Sequence, residues 1–497
     1  MELKIKLMKW SAGIPVVMLN PKTAVIMGVH IHDRVSIKSS TNNHKEMSTI
    51  VDIVEGFVKE DEIGISSEVR KIMNFKNKQR VIVNISESPK SLNYIKKKLN
   101  NKNLSEKEIA EIIKDIVENA LSEPEIALFI SAMYERGMNM KETVYLTKAI
   151  INSGNRIKFK SKLVVDKHSI GGIPGNRTTP IVVSICSSLG LIFPKASSRA
   201  ITSSAGTADV IETITPVEFS VSEVKKIIKK TNACLIWGGG KLNVVPADSK
   251  IIYVEKALNI DPDSQLLASI MAKKIAMGAN YILIDIPYGK TAKVKRKRAE
   301  ELKKKFEFLG KFFHKDIKVV LNEVKEPMGT GVGPVLELID VISVLDPNKK
   351  GPRDLENKSL LLAGELLEMT GKAKKGKGIN LAREILKSGK AFKKFKQIIK
   401  AQGGSINKIK ILKPGKFKKD IFSEKSGKIK DIFNHNVNLL ARAAGCPADK
   451  FAGIRIYISD NEIIKKGQKL LTIYSESKPR LKEAIKFYKT NKVIVLD

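Results

Sequence analysis

The chain has 497 residues, enough for roughly two to four domains with sizeable cores, and its 42% hydrophobic and 28% charged content is that of a soluble globular protein. No apolar run approaches the roughly 18 residues a membrane span needs, and the opening MELKIKLMKW lacks a signal peptide's apolar core, so a cytoplasmic protein with no membrane partner is expected. The net charge of +37 invites a nucleic-acid reading, but the lysines run along the whole chain, aromatics are only 6%, and no nucleic-acid motif appears; no nucleic acid is expected as a partner.

In chain order, residues 1–85 alternate apolar and polar over short runs. LKIKLMKW, TAVIMGVHIHDRVSIK, STIVDIVEGFV and QRVIVNIS read as strands of a β-rich amino-terminal domain. Residues 88–155 turn helical, with Ser105 and Ser122 as caps. A second helical piece, within 245–278, completes a discontinuous helical domain. Residues 158–240 and 280–402 alternate strand and helix, as KLVVDKHS, TPIVVSICSSLG, LIFPKAS, SEVKKIIKKTN, ACLIWGGG, YILIDIPYG and IKVVLNEV, which predicts a parallel α/β sheet. Residues 403–497 read as an α+β module, with short strands around KIKILKPGK and then the helix HNVNLLARAAG. The lysine-rich AKKGKG near Lys375 reads as a solvated loop.

The most informative stretch runs from Val165 to Glu212. VDKHSIGGIPGNRTT sets Lys167, His168 and Ser169 before the glycines Gly171, Gly172 and Gly175. PKASSRAITSSAGTADVIE gathers Ser197, Ser198, Arg199, Thr202, Ser203, Ser204 and Thr207 around Gly206. Glycines admit a ligand to the backbone, and helix N-termini offer free amides in a favourable dipole. Either half alone suits a polar interhelical loop equally well; the two together point to phosphate. In IDPDSQLLASIMAKK, Ser269 and Lys273 are four residues apart and share a helix face. They suit an anion or carbonyl site, or an ordinary amphipathic helix. Asp261 before Pro262 reads first as an N-cap with proline at the first helical position. Lys293 follows an apolar strand, where a ligand crevice or plain surface charge are both open. GKT at Gly289 has Ile284 where a P-loop needs its first glycine, and GTGVGP from Gly329 lacks the dinucleotide-fold spacing. The three cysteines, Cys186, Cys234 and Cys446, form no metal pattern, and no His or carboxylate cluster has ligand spacing; no metal is expected.

Three of these runs, KHSIGG from Lys167, SSRAITSSAGTADVIE from Ser197 and ASIMAKK from Ala268, resemble in the same order the nucleoside phosphorylase family that includes thymidine and pyrimidine-nucleoside phosphorylases. The resemblance covers residues 104–497. Within that family the chain is most similar to the archaeal AMP phosphorylase group, which the additional β-rich domain and SRAITS also fit. The resemblance implies an α/β fold class: a discontinuous helical domain and a larger α/β domain with a cleft between them, in a homodimer or higher homo-oligomer. It implies phosphate contacts from Lys167, Ser169, Thr179, Ser197 and Thr207. For AMP it implies Gly172, Ser198, Arg199, Ala200, Ile201, Thr202, Ser203, Thr207, Ser269, Lys273 and Lys293. Asp261 becomes the proton donor, with His168 as the alternative proton source, ring contact or merely structural histidine. Counting back without gaps, Val254 stands where pyrimidine-specific relatives carry an arginine, so a donor fork is missing.

The reaction so implied is phosphorolysis of AMP to adenine and ribose 1,5-bisphosphate, in an archaeal AMP degradation route feeding RuBisCO. CMP and UMP stay open as substrates. Orthophosphate is a co-substrate, and no cofactor is implied. Lys167 and Arg199 would offset the repulsion between two anions. Asp261 would need a raised pKa, which burial near phosphates favours and a helix N-terminus opposes. The competing readings are a thymidine or pyrimidine-nucleoside phosphorylase, anthranilate-phosphoribosyltransferase chemistry, and a nucleic-acid binder.

Overall fold

The computed structural model describes residues 1–13, 15–40, 46–200, 203–405, 407–408 and 412–497. The chain forms two compact units, Met1–Ser153 with Pro246–Ala268, and Gly154–Val245 with Ser269–Asp497.

In the first unit, β1 (Glu2–Leu7), β2 (Val16–Leu19), β3 (Arg34–Ser39), β4 (Glu46–Ile53), β5 (Glu62–Ile65) and β6 (Arg80–Ile85) close a barrel in the order β1-β5-β2-β4-β3-β6. β1–β5 and β2–β4 are parallel; the other pairs are antiparallel. The period-two alternation turns Leu3, Ile5, Val35, Ile37, Val81 and Val83 inward. The run TAVIM, expected as a strand, is instead the helix Pro21–Met27. The Asn20 side chain accepts from Lys22 N at 3.0 Å, Pro21 opens the first turn, and Gly28 ends it at φ 66°. These start and stop signals override the β preference of Val25 and Ile26.

Four helices follow, Ser91–Leu99, Glu106–Val117, Glu123–Arg136 and Met140–Asn152. Ser105 and Glu108 cap the second reciprocally, and Ser122 N donates to Glu125 Oε2 at 2.7 Å at the start of the third. The spacing of Ile109, Ile112, Ile113 and Ile116 buries one face of Glu106–Val117. The helix Pro246–Leu258 packs on this bundle, and Lys250 Nζ donates at 2.8 Å to the carbonyls of Ile116 and Val117, at a helix C-terminus where a cation is favoured. The next helix begins at Asp263. Pro262 O already accepts Leu266 N at 2.9 Å, so the cap position falls on Pro262 and Asp261 lies one residue ahead of the place expected for it.

In the second unit, β7 (Val165–Ser169), β8 (Phe193–Ser197), β9 (Ala233–Trp237), β10 (Tyr281–Tyr288) and β11 (Asp316–Glu323) are all parallel where they pair. They form the ladders β11-β10-β7 and β8-β9, joined by a parallel bridge between Val164 and Ile192. From β7 the chain steps outward through β8 and β9, then returns to the other side of β7 for β10 and β11. The strand order therefore reverses between β7 and β10. Loops leaving the carboxyl ends of such a pair diverge and open a ligand crevice. The helix Thr178–Ser188 is buried along nearly all its length under the helices Arg353–Met369, Gly378–Lys387 and Lys390–Ala401, which accounts for its apolar sequence on every face.

The carboxy-terminal module is built on β12 (Gly331–Val332), β13 (Phe417–Phe422), β14 (Gly427–Ile432), β15 (Gly453–Ile456), β16 (Ile463–Ile464), β17 (Lys469–Ser475) and β18 (Ile494–Leu496). One sheet runs β12-β15-β17-β13 and the other β16-β14-β18. β12 belongs to the α/β segment and splices the module to it. The strand expected around KIKILKPGK falls partly outside the described residues. Among the described residues no helix is long and apolar enough to cross a membrane.

Candidate active site

The two runs singled out in the sequence leave the carboxyl ends of β7 and β8. Lys167 lies on β7 with its side chain fully buried. Its Nζ donates to Ser169 Oγ and Thr178 Oγ1, both at 2.6 Å, and reaches Thr179 Oγ1 at 3.5 Å. Thr178 and Thr179 open the helix Thr178–Ser188, so hydroxyls and helix-terminal amides share one point. Burial pulls the Lys167 ammonium down to about 7, against Asp285, which pulls it up; Lys358, Lys195 and Arg177 push it down further. Ser169 in turn donates to Asp285 Oδ2 at 2.6 Å. Asp285, on β10, also pairs with Lys358 Nζ at 3.0 Å and accepts from Asn322. Burial works to raise the Asp285 carboxyl, but Lys358 and Lys167 together hold it below the usual carboxylate range.

A second layer lies beneath. Lys195 Nζ donates to Asp166 Oδ1 at 3.0 Å and to the Lys167 carbonyl at 2.7 Å, and Lys274 Nζ stands 3.4 Å from the same Asp166 oxygen. Burial drives Lys274 well below the ordinary lysine value. His168 is half-buried, and desolvation and then Lys274, Lys195, Lys167 and Lys273 hold its imidazole far below 6.5. It is neutral at physiological pH. Lys273 Nζ donates to Ser269 Oγ at 3.2 Å, which confirms their shared helix face.

The glycine turn after β7 has little room to vary. Gly172 sits at φ 110°, and a Cβ there would meet Lys293 Cβ at 2.9 Å. Gly175 sits at φ 70°, and a Cβ would meet the Met328 carbonyl at 1.9 Å. Lys293, exposed itself, is thus brought against Gly172 by the loop after β10.

The second run leaves β8 at Ser197, whose buried hydroxyl has no hydrogen-bond partner among the described residues. Ser198 is exposed and Ala200 half-buried. Asp209 folds the loop by accepting from Ala200 N at 2.7 Å and Gly206 N at 2.9 Å. Ser203 Oγ donates to Ala205 O at 3.1 Å. Thr207 opens a short helix, and its hydroxyl accepts from Arg177 at 3.0 Å, which leaves its hydrogen available. Ile201 and Thr202 lie outside the described residues. Arg199 does not present an open fork: both terminal nitrogens donate to Glu212 at 2.7 Å, and the guanidinium lies 4.9 Å over the Trp237 ring. An already paired guanidinium organises the loop rather than standing ready to balance a second anion.

Several residues that hold these groups escaped the sequence reading. Asn438 ties the two runs together, donating to Gly172 O at 3.2 Å and accepting from Ser204 N at 3.1 Å. Arg177 bridges Thr207, the Ala205 carbonyl and buried Glu337. Asp285 did leave a signal, as the one carboxylate inside the apolar run YILIDIPYG, where a buried charge demands a partner. Lys358 and Asn438 left none, since their partners lie far away in sequence.

Two family models match the chain: the glycosyl transferase family helical bundle domain over residues 92–154, and the glycosyl transferase family a/b domain over residues 161–392. The AMP phosphorylase of Pyrococcus horikoshii is 44% identical to it over 98% of this chain and 96% of its own. That of Methanococcoides burtonii is 41% identical over 100% and 97%. Among solved structures, anthranilate phosphoribosyltransferase from Thermus thermophilus is similar with a TM-score of 0.52 at 18% identity, covering 62% of this chain and 99% of that one. At that identity the likeness is one of fold alone.

Proposed function

The chain belongs to the glycosyl transferase family of these helical bundle and a/b domains, alongside the AMP phosphorylases, and on that footing we propose that it is a pentosyltransferase cleaving AMP with orthophosphate. The observation that carries the reading is the buried Lys167, ringed by Ser169, Thr178 and Thr179 at the strand-order reversal, with the hydroxyl-lined loop Ser197–Thr207 on the neighbouring strand. The reaction brings together two anionic reactants, and these two runs offer donors for both.

In the proposed reaction an orthophosphate oxygen forms a bond to the anomeric carbon. The glycosidic C–N bond breaks, and its electron pair leaves with adenine, which takes up a proton. Ribose 1,5-bisphosphate is the other product. Lys167, Ser169, Thr179, Ser197 and Thr207 hold the attacking phosphate. Gly172, the run Ser198–Ser203, Thr207, Ser269, Lys273 and Lys293 hold the nucleotide, with Arg199 fixing the shape of its loop through Glu212. Asp261 is the proton donor in this scheme. Desolvation, and then the flanking lysines, work against an imidazolium at His168, the alternative proton source. Buried Val254, in place of an arginine, suits a purine better than a pyrimidine pocket. No metal or cofactor enters the scheme. A homodimer or larger homo-oligomer is proposed on family grounds, and solution mass tests it.

The test is phosphate-dependent base release from AMP, beside adenosine and thymidine. Adenine from AMP alone, with a ribose bisphosphate product, is expected. Cleavage of thymidine or uridine but not AMP would overturn the reading in favour of a pyrimidine-nucleoside phosphorylase.

A further inference from the structure

One hydroxyl of the phosphate site differs from the rest. Thr178 and Thr207 accept from Lys167 and Arg177, so their own hydrogens stay available to an incoming anion. Ser197 Oγ has no hydrogen-bond partner among the described residues. Ser169 is committed in the opposite sense. Asp285 accepts from Asn322 and is ion-paired with Lys358, so it is a carboxylate and can only accept; the proton in the 2.6 Å contact comes from Ser169. Lys167 then occupies one lone pair of Ser169 Oγ at 2.6 Å. What Ser169 can still offer a bound anion is its second lone pair.

We propose that Asp285 is a positioning residue that fixes Ser169 as a hydrogen-bond acceptor, so that the site selects tetrahedral anions carrying a proton, phosphate and arsenate, over sulfate. This rests on the reading that Lys167 and Ser169 hold orthophosphate. A monoprotonated phosphate points its P–O–H at Ser169 Oγ and presents unprotonated oxygens to Lys167, the threonines and the anomeric carbon. The protonated oxygen, a poor nucleophile, is thereby turned away from the reaction. Sulfate has the same shape and no proton to give, so an oxygen lone pair faces an oxygen lone pair. Losing one hydrogen bond to a charged group weakens binding by about 10- to 100-fold.

The experiment measures binding of phosphate, arsenate and sulfate by calorimetry at mildly alkaline pH, where phosphate, like sulfate, is chiefly a dianion. The same three anions are tested as substrates or inhibitors with AMP. Wild type should bind arsenate as it binds phosphate, and sulfate about 10- to 100-fold more weakly. In Asp285→Ala no carboxylate faces Ser169, and the Ser169 hydrogen is released to the anion. The sulfate-to-phosphate ratio of dissociation constants should fall about tenfold. A merely structural role would weaken both anions and leave the ratio where it was. Ser169→Ala, a small change that should fold even if the buried Asp285→Ala does not, should lower the same ratio. Sulfate within threefold of phosphate in wild type, or an unchanged ratio in Ser169→Ala, would overturn the proposal. AMP cleavage with no such discrimination would leave the phosphorylase reading standing, whereas strong discrimination without AMP cleavage would do the reverse.

Discussion

Lys167→Met should make the protein more stable and inactive at once. The lysine is fully buried, and burial leads the forces holding it at about 7 rather than 10.5. That gap, at about 1.4 kcal/mol per unit, is worth on the order of 5 kcal/mol, most of it felt at neutral pH. Between those two values the unfolded chain carries a proton that the folded chain lacks. Stability therefore rises with pH across that window, and the penalty is full below about 7. Methionine keeps the length of the stem and drops the charge. It also gives up the contacts to Ser169, Thr178 and Thr179, at about 1 kcal/mol each. The net is a gain of about 1–2 kcal/mol, or a few degrees in Tm. Calorimetry in phosphate-free buffer, from neutral to alkaline pH, reads this directly. The variant should melt later than wild type at neutral pH, show a smaller rise than wild type on alkalinisation because Lys250 and Lys274 are still held low by burial, and gain nothing from added phosphate. An earlier melt, or parallel pH profiles, would refute the reasoning, because it would mean Asp285 already compensates the buried charge in full.

Four further outcomes are expected. Asn438→Ala strands the Ser204 amide and the Gly172 carbonyl, so stability should drop by about 1–3 kcal/mol and the KM for both AMP and phosphate should rise; steady-state kinetics with unchanged KM values would remove Asn438 from the site. Gly175→Ala, at φ 70° with a Cβ 1.9 Å from a carbonyl, should cost at least about 3 kcal/mol, whereas Gly171→Ala meets nothing within 4 Å and should leave Tm nearly unchanged. Arg199→Lys loses the fork on Glu212 and the stacking on Trp237, and should raise KM for AMP about tenfold with a smaller effect on phosphate. Dialysis against a chelator should leave turnover unchanged, as metered by adenine release.

The parts of this molecule that were readable in its sequence are those governed by neighbours along the chain. Ser105 with Glu108 is a capping box whose two members are three residues apart, and Ser269 with Lys273 needs only helical spacing. Lys167 and Ser169 stood out because a strand rarely carries so many polar groups beside a glycine turn. The misread TAVIM shows local signals in competition: Asn20, Pro21 and Gly28 were all legible as cap, first turn and stop, but Val25 and Ile26 suggested a strand. Arg199 was legible as a cation in a hydroxyl-rich loop, yet its partners in the fold, Glu212 and Trp237, depend on how the loop doubles back under Asp209. Asn438 reaches across 234 and 266 residues of sequence to its two partners, and Lys358 reaches Asp285 from another helix; no window along the chain contains such a pair.

The closed barrel at the amino-terminal end has a consequence for the order of events at the ribosome. β1 is made before both of its neighbours, β5 and β6, and its pairing with β6 involves Arg80, Val81 and Ile82. At about 5–20 residues per second, β1 waits roughly 4–16 s before its last partner emerges, with at least one edge open throughout. During that interval its unpaired amides and carbonyls can template pairing with any other nascent strand. Slowing translation between the codons for β1 and β6 should therefore lower the yield of this protein, whereas the same pause placed after the barrel has sealed should be harmless to it.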